Sequence, residues 1–582
     1  MAEGAPWRRP ALVLALVAFV AQGLWLTQTT PSWHEEVSVH ASEGYRIALE
    51  RDDGTIAMET SCTQPDAPLL VRSATRPVLA VCVAGHTLPV MVSSYISGIP
   101  YWPLALLWPL HHGEVFALRL LGLIFGLWAL AVCHRLAARF ADERSGDLAV
   151  LALASMTQFT VAHSMLVYYD VIGLSLVGTA VLVAAGPRRD DGRPAPPSAR
   201  RLALAGALVG LATLANIKTV LILAPLVLLA ARGWRSLPRI PLRSVAAALL
   251  AAALPIGALV ASAWTDPSRG MSQQLSYRLH IFVSHLDAVR FGNEVLNLFV
   301  FWSDIRFYGD LVVGAPAHVN WLGVAVAAGC LAYCTVALVA VLRRGRGAWL
   351  AAACGALLWS YVAVSVLLYD QQPAANYTPI HGVFGLTTGL ALGALVAALP
   401  RQRKLAYGLS AAAIGAFALA SASRLPETPN IPLSINAMAE RALARHLRAH
   451  PESAGMLATT TYNLHGMVEA LGAADQRPTA MHLVLSRCDQ LAGDRGRASD
   501  GAAREATIDC LAERWDRVLA DPARVPLRAI VPVERAVIDE AWATAAEPAL
   551  ARAAAARGLS MRIEGRFATP DGVEALRLLR VE

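Results

Sequence analysis

The sequence predicts a mostly α, polytopic membrane protein, a transmembrane helical bundle of about 11 spans followed by a small C-terminal α/β domain. Three observations predict it. Long apolar runs fill roughly residues 11–421, basic residues collect in every second loop between those runs, and the last ~160 residues alternate strand-like with helix-like stretches. Composition agrees: of 582 residues, 55% are hydrophobic and only 16% charged, against about 25% in ordinary soluble domains. Mean hydropathy is +0.46.

A helix needs about 20 apolar residues to cross the hydrocarbon core. Runs of that kind stand near 10–28, 115–137, 147–164, 166–186, 202–217, 219–232, 243–263, 321–342, 348–368, 380–399 and 405–422. The first follows Arg8 and Arg9, as a signal peptide would. Its apolar run is long for a signal peptide, so it reads as a retained helix. The apolar stretch Leu88–Leu110 is broken by Pro89, Gly98, Pro100, Pro103 and Pro109. It reads as helices lying along the outer surface, because another span there would invert the order of the arginine-bearing loops downstream.

Those loops set the orientation. Arg8/Arg9, Arg135/Arg139/Arg144, Arg188 to Arg201, Arg232 to Arg243, Arg343/Arg344/Arg346 and Arg401/Arg403/Lys404 fall in alternate connections. The positive-inside rule places them in the cytoplasm. The N-terminus then lies inside. The loops 29–114 and 264–320, the segment 369–379 and the tail lie outside. We expect a membrane domain at 1–423 and a soluble extracytoplasmic domain at 424–582. In the tail, strands are expected at Met456–Thr461, Met481–Leu485, Leu527–Val533, Ser560–Phe567 and Glu574–Val581. Helices are expected at Leu464–Leu471, Ala502–Leu519 and Ala536–Arg557. No glycine-rich phosphate loop accompanies them.

Cysteine placement supports the same orientation. Cys133, Cys330, Cys334 and Cys354 lie in apolar runs and read as small hydrophobes. Cys62 and Cys82 share the first outer loop, and Cys488 and Cys510 share the tail, so two disulfides are expected in an oxidising compartment. No spacing suggests zinc. The net charge of +7 and pI near 9.1 follow from the cytoplasmic loops, which argues against nucleic acid as a partner.

Five segments could carry chemistry. His34-Glu35-Glu36 follows the first span. Adjacent carboxylates there could act as a general base or hold a divalent cation, though a solvated loop start would look the same, and no cofactor is assigned. Tyr168-Tyr169-Asp170 sits inside an apolar run. A carboxylate at mid-membrane costs roughly 2.5–3.5 kcal/mol on insertion scales, so it faces a cavity or pairs with an arginine. Lys218 occupies an outer turn, in a chain whose only other lysine is Lys404. It snorkels as helix-end lysines do, or meets an anionic head group. The outer loop 264–320 carries Arg269, Tyr277, Arg278, His280, His285, Arg290, Asp304 and Arg306, which suit phosphate or a plain solvated face equally. His381 opens a later span, where a histidine is more often structural than catalytic.

These residues come from distant parts of the sequence, yet the arginine pattern puts them on one side of the bilayer. Carboxylate and cation together suit transfer from a lipid-phosphate donor to a hydroxyl or amine. The acceptor must lose a proton to a base. The lipid phosphate leaves readily and needs a cation rather than an acid, unlike the leaving group of a two-carboxylate glycosidase.

The same residues resemble the GT-C class of membrane glycosyltransferases, in particular protein O-mannosyltransferases and lipid A aminoarabinose transferases. Glu35-Glu36 is similar to the acidic pair those enzymes carry after their first span. YISGIPYWPL from Tyr95, ALRLLGLIFG over 117–126, Asp170 near the next outward turn, and GLATLANIK ending at Lys218 follow in the family's order. The resemblance spans about residues 10–400 and lies in the order of motifs more than in any one of them. It implies an inverting transfer from a polyprenyl-phosphate sugar to an envelope lipid, glycan or protein, at the outer face of a bacterial inner membrane. It implies Glu36, Glu35 and Asp170 as catalytic residues, and Lys218, Tyr169, Tyr95, Arg278 and His381 as substrate-binding. Two departures bear on donor recognition: Glu35 replaces the usual aspartate, and Ile99 precedes Pro100 where many relatives have a basic residue. Competing readings are an envelope lipid flippase, which would show inverted repeats that this sequence lacks, and a non-catalytic envelope assembly protein.

Overall fold

A computed structural model of the chain describes residues 10–26, 107–111, 115–164, 168–186, 198–215, 241–265, 321–344, 347–368, 380–423, 501–522, 540–568 and 574–582. It also describes strands at 70–72, 79–83, 86–91, 456–459, 481–482 and 527–532, residues 85, 525–526 and 533, and scattered positions at 64–69, 219–229, 292–302 and 442–450. The chain divides into two compact units, one drawn mainly from residues up to Glu427 and the other mainly Thr428–Glu582.

The first unit is helical. Its helices are α1 (Pro10–Leu26), α2 (Val115–Phe140), α3 (Glu143–Ser155), α4 (Thr157–Ser164), α5 (Tyr168–Ala185), α6 (Ala199–Ala215), α7 (Leu242–Thr265), α8 (Trp321–Arg344), α9 (Trp349–Leu368), α10 (His381–Ala398) and α11 (Arg403–Ser423). Among the described residues, Arg119–Phe140, Leu242–Ala261, Gly323–Arg344 and His381–Ala398 are long and apolar enough to cross a membrane, and shorter apolar helices stand at Ala11–Leu24, Ile172–Ala185 and Trp349–Ala363. The chain is an integral membrane protein. On α7, Leu242, Leu250 and Leu254 are 83%, 73% and 81% exposed. That is uncovered apolar surface suited to lipid tails.

Lipid tails are as apolar as leucine, so burial from water does not drive these helices together; close packing does. Gly385, Gly389 and Gly393 recur at one-turn spacing on α10 and lie against α3. A Cβ on Gly389 would come within 2.5 Å of the Ala149 backbone, one on Gly385 within 2.7 Å of Leu153, and one on Gly393 would collide with Ser145. Rising numbers on α10 meet falling numbers on α3, so the two run antiparallel. By the same reading Gly146 on His134 with Gly126 on His163 makes α3 and α4 antiparallel to α2, Gly178 on Val132 and Leu136 with Arg139 on Gly186 makes α5 parallel to α2, and Gly173 on Ala212 with Gly186 on Arg201 makes α6 antiparallel to α5.

The starts of α2, α5 and α10 therefore share one end of the bundle with the ends of α4 and α6. Arg119 stands near the start of α2, whereas Arg135, Arg139, Arg144, Arg200 and Arg201 gather at the other end. There the Ser145 N–H donates to the Asp142 carboxylate at 2.8 Å, capping α3. Arg139 donates to the Gly186 carbonyl at 2.8 Å, placing a cation on the C-terminus of α5.

Two expectations are corrected. The span read across 147–164 is two helices, because Met156 takes an extended backbone (φ −78°, ψ 105°) and closes α3. The adjacent Ser155 hydroxyl donates to the Leu151 carbonyl at 2.6 Å, one way a serine competes inside a helix. The helices expected across Leu88–Leu110 are replaced at the near end by a strand. β1 (Leu70–Arg72), β2 (Leu79–Val83) and β3 (His86–Met91) form an antiparallel sheet in that order. Gly85 at φ 81° turns β2 into β3, and Pro89 is tolerated because β3 is an edge strand. At the far end a single helical turn stands at Trp108–His111.

The second unit is a mixed sheet with helices on both faces. Its strands are β4 (Met456–Thr459), β5 (Met481–His482), β6 (Leu527–Pro532), β7 (Met561–Ala568) and β8 (Glu574–Val581), ordered β5-β4-β6-β8-β7. β5 and β6 flank β4 in parallel, and β8 is antiparallel to β6 and β7. Strand alternation sorts the core. Leu527, Ala529, Val531, Leu579 and Val581 meet α12 (Gly501–Leu519) and α13 (Glu540–Ala556) around the fully buried Trp515. Ile530, Leu576 and Leu578 face the opposite way and pack with Leu443 and Phe567. Helical residues between 442 and 449 were not anticipated from the sequence.

Candidate functional site

The site is built at the end of the bundle opposite the cluster Arg135, Arg139, Arg144, Arg200 and Arg201. Asp170 and Tyr169 lie in the first turn of α5. Three residues on, Gly173 abuts Thr219, which immediately follows Lys218: a Cβ there would come within 2.5 Å of the Thr219 hydroxyl. Thr219 is buried and its hydroxyl donates to the Ala212 carbonyl at 2.9 Å, tying Thr219 to α6. Four residues after Asp170, Leu174 presses on Gly382, within 2.6 Å of where its Cβ would be. The start of α5, Thr219 and the start of α10 therefore meet, although about 210 residues separate Asp170 from His381.

The last turns of α1 reach the same end. Phe19 is fully buried against Phe159 (5.4 Å between centroids) and His163 (6.3 Å), and Gly23 packs on Leu123 near the start of α2. α1 closes at Leu26, ten residues before Glu36. Glu35, Glu36, Lys218, Tyr95, Arg278, Cys62 and Cys488 lie outside the described residues.

His381 opens α10 and is 1% exposed. Its ring lies 6.3 Å from that of Phe384, which stacks on Trp302 at 5.0 Å. Trp302 Nε1–H donates to the Thr388 hydroxyl at 3.1 Å, holding this aromatic layer in register. Cys82, in β2, and Cys510, in α12, are each disulfide-bonded, whereas Cys133, Cys330, Cys334 and Cys354 are free and buried.

Two residues here were not singled out from the sequence. His163 is 1% exposed, with Nδ1 2.9 Å from the Phe159 carbonyl. Arg119 is fully buried near the start of α2 and is engaged by other groups. A charge inside an apolar run is the signal that singled out Asp170, and Arg119, quoted from the sequence only within ALRLLGLIFG, carries the same signal. Among the described residues no group of three or more His, Cys, Asp or Glu could hold a metal ion.

No family model matches the chain, and no curated protein matches it. Solved structures do. The crystal structure of ArnT from Cupriavidus metallidurans bound to undecaprenyl phosphate is similar over 99% of this chain and 98% of that one, at 13% identity and a TM-score of 0.53. The apo form of the same protein is similar over 98% and 97%, again at 13% identity, with a TM-score of 0.52. The fold is GT-C-like. The apo oligosaccharyltransferase of Archaeoglobus fulgidus is also similar, at 13% identity over 94% of this chain and 72% of that one, with a TM-score of 0.49. At these identities the likeness is one of fold, and it runs the length of the chain.

Proposed function

We propose that this protein is an inverting glycosyltransferase that moves a sugar from a polyprenyl-phosphate donor to a hydroxyl or amine of a cell-envelope acceptor. The observation that supports this reading is the meeting of Thr219 and the starts of the helices that carry Asp170 and His381, at one end of a GT-C-like bundle. It is supported by the fold's likeness to a protein crystallised with undecaprenyl phosphate.

In this reading the bundle has about 11 spans, with its N-terminus in the cytoplasm and residues 424–582 outside a bacterial inner membrane. Glu36 takes the proton from the acceptor as its oxygen or nitrogen attacks the anomeric carbon. The bond from that carbon to the phosphate oxygen breaks on the opposite face, inverting the centre. Lys218 meets the charge on the departing lipid phosphate, with Arg278, Tyr95 and Tyr169 as further donor contacts. Asp170 orients donor or acceptor, and Glu35 supports Glu36. A preorganised cation acts most strongly where water is excluded, which suits a site at the membrane boundary. His381 is buried, which suits support beneath the site rather than contact with the sugar.

The test is incubation of purified protein with radiolabelled polyprenyl-phosphate sugars and an envelope extract. Label should pass to an extract component while free lipid phosphate is released. Donor moved across a vesicle membrane intact, with no release, would instead establish a flippase.

A further inference from the structure

Beneath the start of α10 lies a cavity of ≈ 30 Å3, walled by Cys133, Phe159, Leu174, Ser175, His381 and Gly382. Most of this wall is apolar, but His381 is not. It is 1% exposed, and neither of its ring nitrogens has a hydrogen-bond partner among the described residues. An imidazole always carries at least one N–H donor and, when neutral, one acceptor. Leaving both unmatched in a membrane interior is costly, so native structures fill such positions. Empty cavities are lined by apolar groups alone. A water needs about 10–15 Å3 of such volume and two to four polar partners. The cavity is large enough, and the 5% exposed Ser175 stands on its wall to supply a second partner.

We infer that this cavity is a buried water site, with His381 as its principal ligand and Ser175 as its second. The water joins the start of α10 to α5. Cys133 braces the same place, its thiol donating to the Gly382 carbonyl at 3.6 Å. Ser175 stands five residues after Asp170 on the same helix, so the water holds the helix that presents Asp170. His381 is thus a positioning residue; this half of the inference rests on the function proposed above, and the water site does not.

Two measurements decide it. In 15N-histidine-labelled protein in lipid nanodiscs, the His381 N–H, assigned by its loss in His381→Gln, should receive magnetisation from bound water in solid-state NMR. No transfer would overturn the site. The second measurement is thermal. A phenylalanine ring cannot hold the water, so His381→Phe should lower Tm by about 2–4 °C, and His381→Gln by less. If the cavity were dry, the same substitution would remove two orphaned nitrogens, and an unchanged or raised Tm would overturn the site. Should His381→Phe not fold, the NMR of the unaltered protein still decides. For positioning, kcat should fall several-fold in His381→Phe with donor KM unchanged. An unchanged kcat in a variant that has lost its water would remove that role. Water present in a protein that transfers no sugar would leave the site standing and sink the proposed function instead.

Discussion

The two ends of the helical unit treat their polar groups differently. At the arginine end they are largely matched: His134 Nε2 lies 3.1 Å from Asp147, Tyr407 donates to the same carboxylate at 3.4 Å, and Arg403 reaches Asp142 at 3.5 Å. One buried guanidinium nitrogen of Arg201 is the exception. Toward the other end, Gln22 Oε1, Thr160 Oγ1 and both nitrogens of His381 are buried without partners among the described residues. Membrane packing penalises unmatched polar groups wherever they stand. An end built only for stability would match them, so the unmatched end is where ligands and water are expected.

The largest expected effect tests the base proposed above. Glu36→Gln keeps the shape and hydrogen bonding of the side chain but cannot accept a proton. Transfer should fall by about 10²–10⁴ with donor KM little changed, as read by initial rates. A wild-type rate in a folded protein would move the base to Glu35 or Asp170. Lys218→Ala should act differently, raising donor KM by about 10–100-fold through loss of a charge-assisted contact. If KM holds while kcat falls, Lys218 does not face the phosphate of the ground-state donor.

The matched end predicts the reverse pattern. Asp147→Ala removes the partner of both His134 and Tyr407 in a nearly buried setting. It should cost about 1–3 kcal/mol of stability and leave turnover per folded molecule unchanged. Thermal denaturation alongside active-site titration separates the two. Lost turnover with unchanged stability would erase the distinction between the ends.

How much of this was legible in the sequence follows from the range of the forces involved. Apolar length and flanking arginines are local signals, and they located helices such as Trp349–Leu368 and Trp321–Arg344 to within two residues. In the tail, strand alternation located Glu574–Val581. The break at Met156 was not legible, since Ser155-Met156-Thr157 contains no helix breaker. The β1–β3 sheet was missed because prolines and aromatics beyond Met91 dominated the reading of that stretch. In the candidate site, Asp170 and His381 could be named from residue type and topology. Their neighbours could not: the approach of Gly173 to Thr219, and of Gly382 to Leu174, depends on packing between helices far apart in sequence.

The smallest expected effect asks whether an orphaned imidazole marks function by itself. His446, in the second unit, also has a buried Nε2 without a partner. Its ring lies 4.4 Å from that of His450 and meets Phe567 edge-on at 5.6 Å. Burial pulls its pKa below the ordinary imidazole value, and His450 and Arg528 add to the fall while Glu564 opposes it. The folded state thus binds a proton less readily than the unfolded chain, whose histidine titrates near about 6.5. The stability this contributes is present above that value and is lost as pH falls below it toward the lower folded pKa. Hydrogen exchange on the full chain should show protection of β6 and β8 falling between about pH 7 and pH 5.5. His446→Phe keeps the contact with Phe567 and cannot titrate, so it should flatten that dependence without changing transfer. Protection that ignores pH would show that His446 does not titrate across this range. A loss of transfer in His446→Phe at unchanged protection would mean that this second orphan also marks function, and the contrast between the two ends of the helical unit would no longer be what singles out the site.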